Sequence, residues 1–208
     1  MLHTETVEPG SLAILKRLMK VPSLQGFALV GGTALSLRYG HRKSVDLDLF
    51  SFGDFEKALI QEQLTREFGN DFTFRREQAN WSLFSMIGDL KLDIIKDPQP
   101  RISTIEVVEG IRFYMDDDIA PMKIEAILHR AAKKDFWDLE VLLQKHGLEW
   151  ILAKHQQRYP DNSIGISIPY AITWFKDAEE SQDPVSLNGQ TWEGVKESIG
   201  QYVNGYVK

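Results

Sequence analysis

Two carboxylates two residues apart, Asp46 and Asp48 in VDLDLF, carry the clearest chemical potential in the chain. If residues 45–50 form a strand, its alternation puts both carboxylates on one face and sends Leu47 and Leu49 into a core. Two neighbouring carboxylates repel each other unless a cation stands between them. Hard oxygen ligands of this kind suit Mg²⁺ or Mn²⁺, often shared with substrate phosphates. Upstream, the apolar run Phe27-Ala28-Leu29-Val30 ends in Gly31-Gly32 and passes into helix formers over residues 33–39. Glycine lets the backbone turn sharply and approach a ligand closely. Thr33 is the expected N-cap of the helix that follows. A helix start just after such a turn offers N–H groups and a positive dipole end to a phosphate. Residues 31–50 therefore predict a triphosphate on the glycine turn and one or two metal ions on the acidic pair.

A third carboxylate lies in LKLDII, where Lys91, Asp93 and Ile95 share one strand face and Leu92 and Ile94 the other. A buried strand rarely carries a carboxylate without reason. Asp93 is either part of the site or an edge carboxylate paired with Lys91 or Arg75. Basic residues cluster twice: Arg38, His41, Arg42 and Lys43 in the first motif, then His129, Arg130, Lys133 and Lys134. Lys123, Arg130 and Lys134 share a face if one continuous helix carries them. Taken alone, three cations on a helix are more often a solvated face than a site.

The elements that must position these residues are readable in outline. Residues 11–19, 33–39 and 55–68 have helical spacing. Residues 27–30, 45–50, 71–78, 81–87, 90–95, 104–108 and 111–115 have the pattern of strands, with turns expected at Gly88-Asp89 and Glu109-Gly110. From Asp116 the pattern turns helical, over 116–146, 150–159, 168–178 and 191–206, with a turn and cap at 160–163 and Thr191 as a further N-cap. Trp174, Phe175, Trp192 and Tyr202 are expected in the core. Residues 1–115 form a sheet half and 116–208 a helical half, predicted to make one compact unit with a cleft between the lobes.

Composition narrows the classes. The 208 residues suffice for one good core, the net charge is −6, and there is no cysteine. That excludes a disulfide framework and thiolate metal sites and argues against broad, non-specific nucleic-acid binding. No apolar run is long enough to span a bilayer, and the first residues lack a signal-peptide layout. A cytoplasmic protein is expected.

The order strand, GG, helix, strand, acid–apolar–acid resembles the signature of the DNA polymerase beta-like nucleotidyltransferases. GGTALSLRYGHRKSVDLDLF is similar to one branch, the AbiEii/AbiGii toxins of type IV toxin–antitoxin and abortive-infection systems. DIAPMKIEAILHRAAKKDFWDL resembles that family's second signature, and WFKDAE and TWEGVKESI its tail, so the likeness covers most of the chain. The resemblance implies an α+β fold: a polymerase beta-like mixed sheet with flanking helices, then a helical C-terminal lobe. It implies NMP transfer from an NTP to an acceptor hydroxyl, with Asp93 completing a metal-binding triad with Asp46 and Asp48. Gly31, Gly32, Thr33, Arg42 and Lys43 would hold nucleotide phosphates with Lys123, Arg130 and Lys134 opposite. Asp135 would be a structural or catalytic carboxylate there, and Asp138 an ion-pair partner that steadies the basic residues. It further implies a tRNA or other RNA acceptor and a winged-helix antitoxin. A nucleotide-binding module without catalysis, and transfer to a small molecule or protein, stand as alternatives.

Overall fold

Short apolar runs between glycine turns build one mixed sheet. The computed structural model describes residues 1–77, 81–161 and 167–207. A first helix, α1 (Pro9–Leu18), leads into β1 (Ala28–Val30), α2 (Gly31–Tyr39) and β2 (Leu47–Ser51). Then come α3 (Lys57–Phe68), β3 (Phe72–Glu77), β4 (Ser82–Ile87), β5 (Leu90–Lys96), β6 (Glu106–Val108) and β7 (Ile111–Phe113). The described remainder carries α4 (Asp116–Arg130), α5 (Lys133–His146), α6 (Leu148–Arg158), α7 (Ile168–Ala171) and α8 (Trp192–Val207).

The seven strands lie in the order β3-β4-β5-β2-β1-β7-β6. β2 runs parallel to β5 and antiparallel to β1, which is parallel to β7. Register fixes what each face shows. Leu83, Ile94, Leu49, Leu29 and Phe113 form one row across five strands, all fully buried. Ile60, Leu64 and Phe68, spaced by a helical turn on α3, join that core. The neighbouring row, Val30, Asp48 and Asp93, points the other way. The two tight hairpins fall where expected: Gly88 has φ 57°, and Glu109 and Gly110 have φ 51° and 80°, the consecutive positive values of a two-residue loop.

Several boundaries differ from the sequence pattern, each for a local reason. α1 starts at Pro9, whose fixed φ suits the first helical position, and not at Ser11. The strand predicted at 45–50 starts at Leu47, so Asp46 stands in the loop before it. α2 starts at Gly31, which puts Thr33 inside the helix and not at its cap. The stretch 116–146 is two helices, because Ala131 takes the left-handed conformation (φ 45°, ψ 51°) and ends α4. The helix predicted at 168–178 stops after Ala171, where the Thr173 hydroxyl turns back on the carbonyls of Pro169 and Tyr170.

Thr191 does cap α8, its Oγ1 accepting the Gly194 N–H at 3.1 Å. Trp192 stacks on Trp137 at 5.7 Å and so fastens α8 to α5. Phe175 and Tyr202 pack against the core, but Trp174 is exposed and stacks on Tyr170. Gln78, Asn162, Ser163 and the Arg75 side chain lie outside the described residues. Among the described residues no helix is long and apolar enough to cross a membrane.

The break at Ala131 yields a test. Ala131→Gly removes a left-handed penalty of about 1–2 kcal/mol and a buried methyl worth about 0.8 kcal/mol. Urea denaturation should find the variant as stable as the parent or up to about 1 kcal/mol more so. A continuous helix would instead lose about 1 kcal/mol.

Candidate active site

A cleft of about 440 Å³ opens between the acidic row of the sheet and α4. The turn from β1 into α2 makes one wall, with Gly31, Gly32 and Thr33 on the lining. Gly31 is required by its backbone and Gly32 by space. Gly31 has φ +72°, and a Cβ there would stand 3.1 Å from an Asp48 carboxylate oxygen. A Cβ on Gly32 would strike the Arg42 guanidinium. No side chain caps the start of α2, so its first N–H groups are left for a ligand. Thr33 works as a brace: its hydroxyl donates to the Asp46 carbonyl and shares a 2.8 Å hydrogen bond with Ser44.

Asp46, Asp48 and Asp93 all line the cleft, the last two directly opposite each other on β2 and β5. Burial pushes the Asp48 carboxyl up; Asp93 and Asp46 add to this, and Lys91 and Lys123 oppose it. Lys91 Nζ lies 2.8 Å from Asp93 Oδ2, and Lys134 Nζ 3.5 Å from Asp46 Oδ2. These all-oxygen carboxylates are the donor set that Mg²⁺ or Mn²⁺ prefers. The upward shift on the central acid comes first from its burial, with the neighbouring carboxylates adding to it. Among the described residues the acids are not drawn into a ready-made ligand cluster; lysines hold two of them.

Opposite and beneath lies a buried charge network. The Asp138 carboxylate accepts from His41 Nε2 (2.8 Å), Arg42 Nε (2.7 Å) and Arg42 Nη2 (2.8 Å), and pairs with Lys123 Nζ at 2.6 Å. Lys123 also reaches Asp135 at 3.1 Å, and Asp135 takes a two-pronged contact from Arg130 at 2.8 and 2.7 Å. Burial alone would raise Asp138, yet the Arg42 and Lys123 cations, with the hydrogen bonds from His41 and Arg42, hold it well below the usual range. Burial would lower Lys123, but Asp138 and Asp135 outweigh it and raise it.

The predicted residues therefore separate. Gly31, Gly32, Thr33, Asp46, Asp48, Asp93, Arg42, Lys123, Arg130 and Lys134 line one cleft. Within it Arg42 spends its fork on Asp138, with Nη1 on the Lys43 carbonyl. Lys123 is buried between two acids. Arg130 (56 % exposed) and Lys134 (43 %) keep open surface on the lining. Lys43 and Asp135 are not on the lining: Lys43 Nζ donates to the Glu5 carbonyl, and Asp135 is wholly buried. The break at Ala131 means that Lys134 reaches the cleft from the first turn of α5, not from the face of α4. Sequence reasoning missed Met122, Glu125 and Ala126 on the lining and named His129 only as part of a basic cluster, although their helical spacing with Lys123 and Arg130 was visible. Tyr159 also lines the cleft, and no pattern signals it.

A helix start with uncapped N–H groups, a row of carboxylates and facing cations make a nucleotidyltransferase-type site. A family model described as the nucleotidyl transferase AbiEii toxin of type IV toxin–antitoxin systems matches residues 13–163. The chain belongs to this family and is a nucleotidyltransferase. An uncharacterized protein of Aquifex aeolicus (strain VF5), aq_aa25, is 31% identical over 203 residues, covering 93% of this chain and 94% of that one. JHP933 from Helicobacter pylori shares the fold at TM-score 0.57 and 22% identity, over 93% of this chain and 87% of that one. MenT4, a nucleotidyltransferase toxin of Mycobacterium tuberculosis H37Rv, does so at TM-score 0.54 and 13% identity, over 92% and 82%.

Three outcomes follow from the buried network. Asp138→Ala strands the Arg42 and Lys123 cations and should cost about 3–5 kcal/mol in urea denaturation. Gly32→Ala should destabilise through the same contact, so Gly32→Ala with Arg42→Met should cost clearly less than the two singles summed. Because Asp138 is held low, its contribution is complete above the ordinary carboxyl value near pH 4. It fades as pH falls through the lower folded value. The stability of Asp138→Asn should accordingly depend less on pH below about 4 than that of the parent, measured by denaturation at stepped pH.

Proposed function

We propose that this nucleotidyltransferase is metal-dependent and acts in the cytoplasm as the toxin of a type IV toxin–antitoxin pair. It would transfer NMP from an NTP to a hydroxyl of an RNA acceptor, with a winged-helix antitoxin as its partner. One observation carries the chemistry: Asp46, Asp48 and Asp93 share a cleft with an uncapped helix start and the half-exposed cations Arg130 and Lys134.

Transfer of this kind asks for positioning and charge stabilisation more than for covalent work by the protein. The α2 start at Gly31, Gly32 and Thr33 would hold the outer phosphates. Arg130 and Lys134 would offset charge on the departing pyrophosphate. Asp46, Asp48 and Asp93 would hold a divalent cation, which supplies Lewis-acid stabilisation of the phosphoryl oxygens. Asp93 would orient the acceptor hydroxyl and take its proton. The acceptor oxygen forms a bond to the α-phosphorus, the bond from that phosphorus to the β-phosphate bridging oxygen breaks, and pyrophosphate leaves. Lys123 and Asp135, both buried, would act through Arg130 and Asp138 and not on the nucleotide itself. The sheet half and the helical half would close on the substrate as two lobes.

The test is a transfer assay with Mg²⁺ and each of the four α-labelled triphosphates, run against total RNA and against protein extract. Label should enter RNA with one nucleotide. Asp46→Asn and Asp48→Asn should each lower the rate about 10³-fold or more while melting near the parent temperature. Label on protein would replace the RNA acceptor with a side-chain acceptor. Unaltered transfer by the Asp46→Asn, Asp48→Asn double variant would sink the metal assignment.

A further inference from the structure

Lys91 is the residue that the cleft presents without an assigned task. Alternation along β5 aims Lys91, Asp93 and Ile95 into the cleft, and all three are on its lining. Leu92 pairs with Leu47 and Asp93 with Asp48. Lys91 thus precedes Leu92 as Asp46 precedes Leu47, and both line the cleft. Its ammonium reaches back to Asp93 Oδ2 at 2.8 Å. The side chain is 29 % exposed, against 8 % for Asp93.

Two features set this lysine apart from Lys134. Its backbone is held in the sheet, because Lys91 pairs with Met86 of β4 and the next residue, Leu92, pairs with Leu47 of β2. Lys134 sits in the first turn of α5, more exposed, at 3.5 Å from its carboxylate. Charge balance points the same way. Asp93 is already paired with the Lys91 ammonium at 2.8 Å, whereas Asp46 meets Lys134 more loosely, at 3.5 Å. A second divalent ion on Asp93 would have to displace an ammonium that is already within hydrogen-bond distance, or sit against it unscreened in a partly buried place.

We propose that Lys91 takes the place of a second divalent ion: the site holds one metal ion, on Asp46 and Asp48, and the Lys91 ammonium keeps Asp93 paired and oriented. Lys91 is a positioning residue acting through Asp93. This rests on the metal-dependent reading of the same cleft and departs from it at one residue: Asp93 is paired with Lys91 and leaves the ligand set, which fixes the number of ions at one.

The experiment counts Mn²⁺ bound per chain by electron paramagnetic resonance, with Mn²⁺ alone and with Mn²⁺ plus a non-hydrolysable triphosphate. Wild type should bind one ion. Lys91→Met and Lys91→Gln should bind two, with the spin-coupled signal of neighbouring Mn²⁺ ions, and Lys91→Arg should stay at one. Two ions in wild type would overturn the inference and leave the metal reading standing. So would one ion in wild type and in both neutral variants, because Lys91 would then exclude nothing. No ion in wild type would remove both. If one neutral variant melts early the other decides, and two ions in wild type overturn the inference without any variant.

Discussion

A single buried carboxylate organises the site. Asp138 is fully buried on α5 and is satisfied by four nitrogen contacts from three residues. Such a group is tolerable only with every partner in place, since an ion left unpaired inside a protein costs several kcal/mol. That requirement reaches outward. Arg42 can lie against Asp138 only because Gly32 has no side chain. The glycine that reads as a phosphate turn is therefore also the gap through which a structural guanidinium passes. Lys123 joins α4 to the same carboxylate and hands the network on to Asp135 and Arg130. One ion cluster thus fixes the start of α2, the loop before β2 and the α4–α5 corner against each other.

The loop between α2 and β2 shows why that fastening matters. Asp46 lies outside the strand, where no ladder hydrogen bond holds it. Its position depends on borrowed partners. The Ser44 N–H donates to the Thr6 carbonyl, and the Lys43 N–H to the Val185 carbonyl. The Leu187 N–H returns to the His41 carbonyl, and Arg42 bridges to Ser186. Thr33 braces the Asp46 carbonyl from inside. Segments near the two ends of the chain are thereby spent on holding one carboxylate in register with the other two. A short loop can carry a reactive group with strand-like definition only when such external contacts replace the ladder.

What could be read from the chain beforehand follows from the range of each interaction. The strands, the glycine hairpins and the acid–leucine–acid triplet were legible because alternation and turn chemistry are local. Asp93 was legible too, because a carboxylate on an otherwise apolar strand is a conflict visible in six residues. The break at Ala131 was not: alanine is the best helix former, and only tertiary demand makes one adopt φ +45°. Thr33 was misread as a cap because its hydroxyl answers to Asp46, thirteen residues on. Arg42 and Lys123 look like Arg130 and Lys134 in a string of letters. Which cations are spent on buried acids depends on where Asp135 and Asp138 end up, and that is a property of the packed helices. Trp174 shows the converse: aromatic character alone does not say inside.

Exposure, more than charge, then sorts the cations of the cleft. Arg42 and Lys123 are balanced by carboxylates they cannot leave, so their charge is already cancelled where it stands. Arg130 and Lys134 are half open and can answer a polyanion. The whole chain is acidic, at −6, so attraction for phosphate depends on local patches such as this one. Long-range steering of a nucleic acid would be weak or repulsive, and few phosphates could be neutralised at once. A surface of this kind suits a compact polyanion better than a backbone tracked over many phosphates. The same patch suits a nucleoside triphosphate, whose charge is compact enough to be met by one helix start and two open cations.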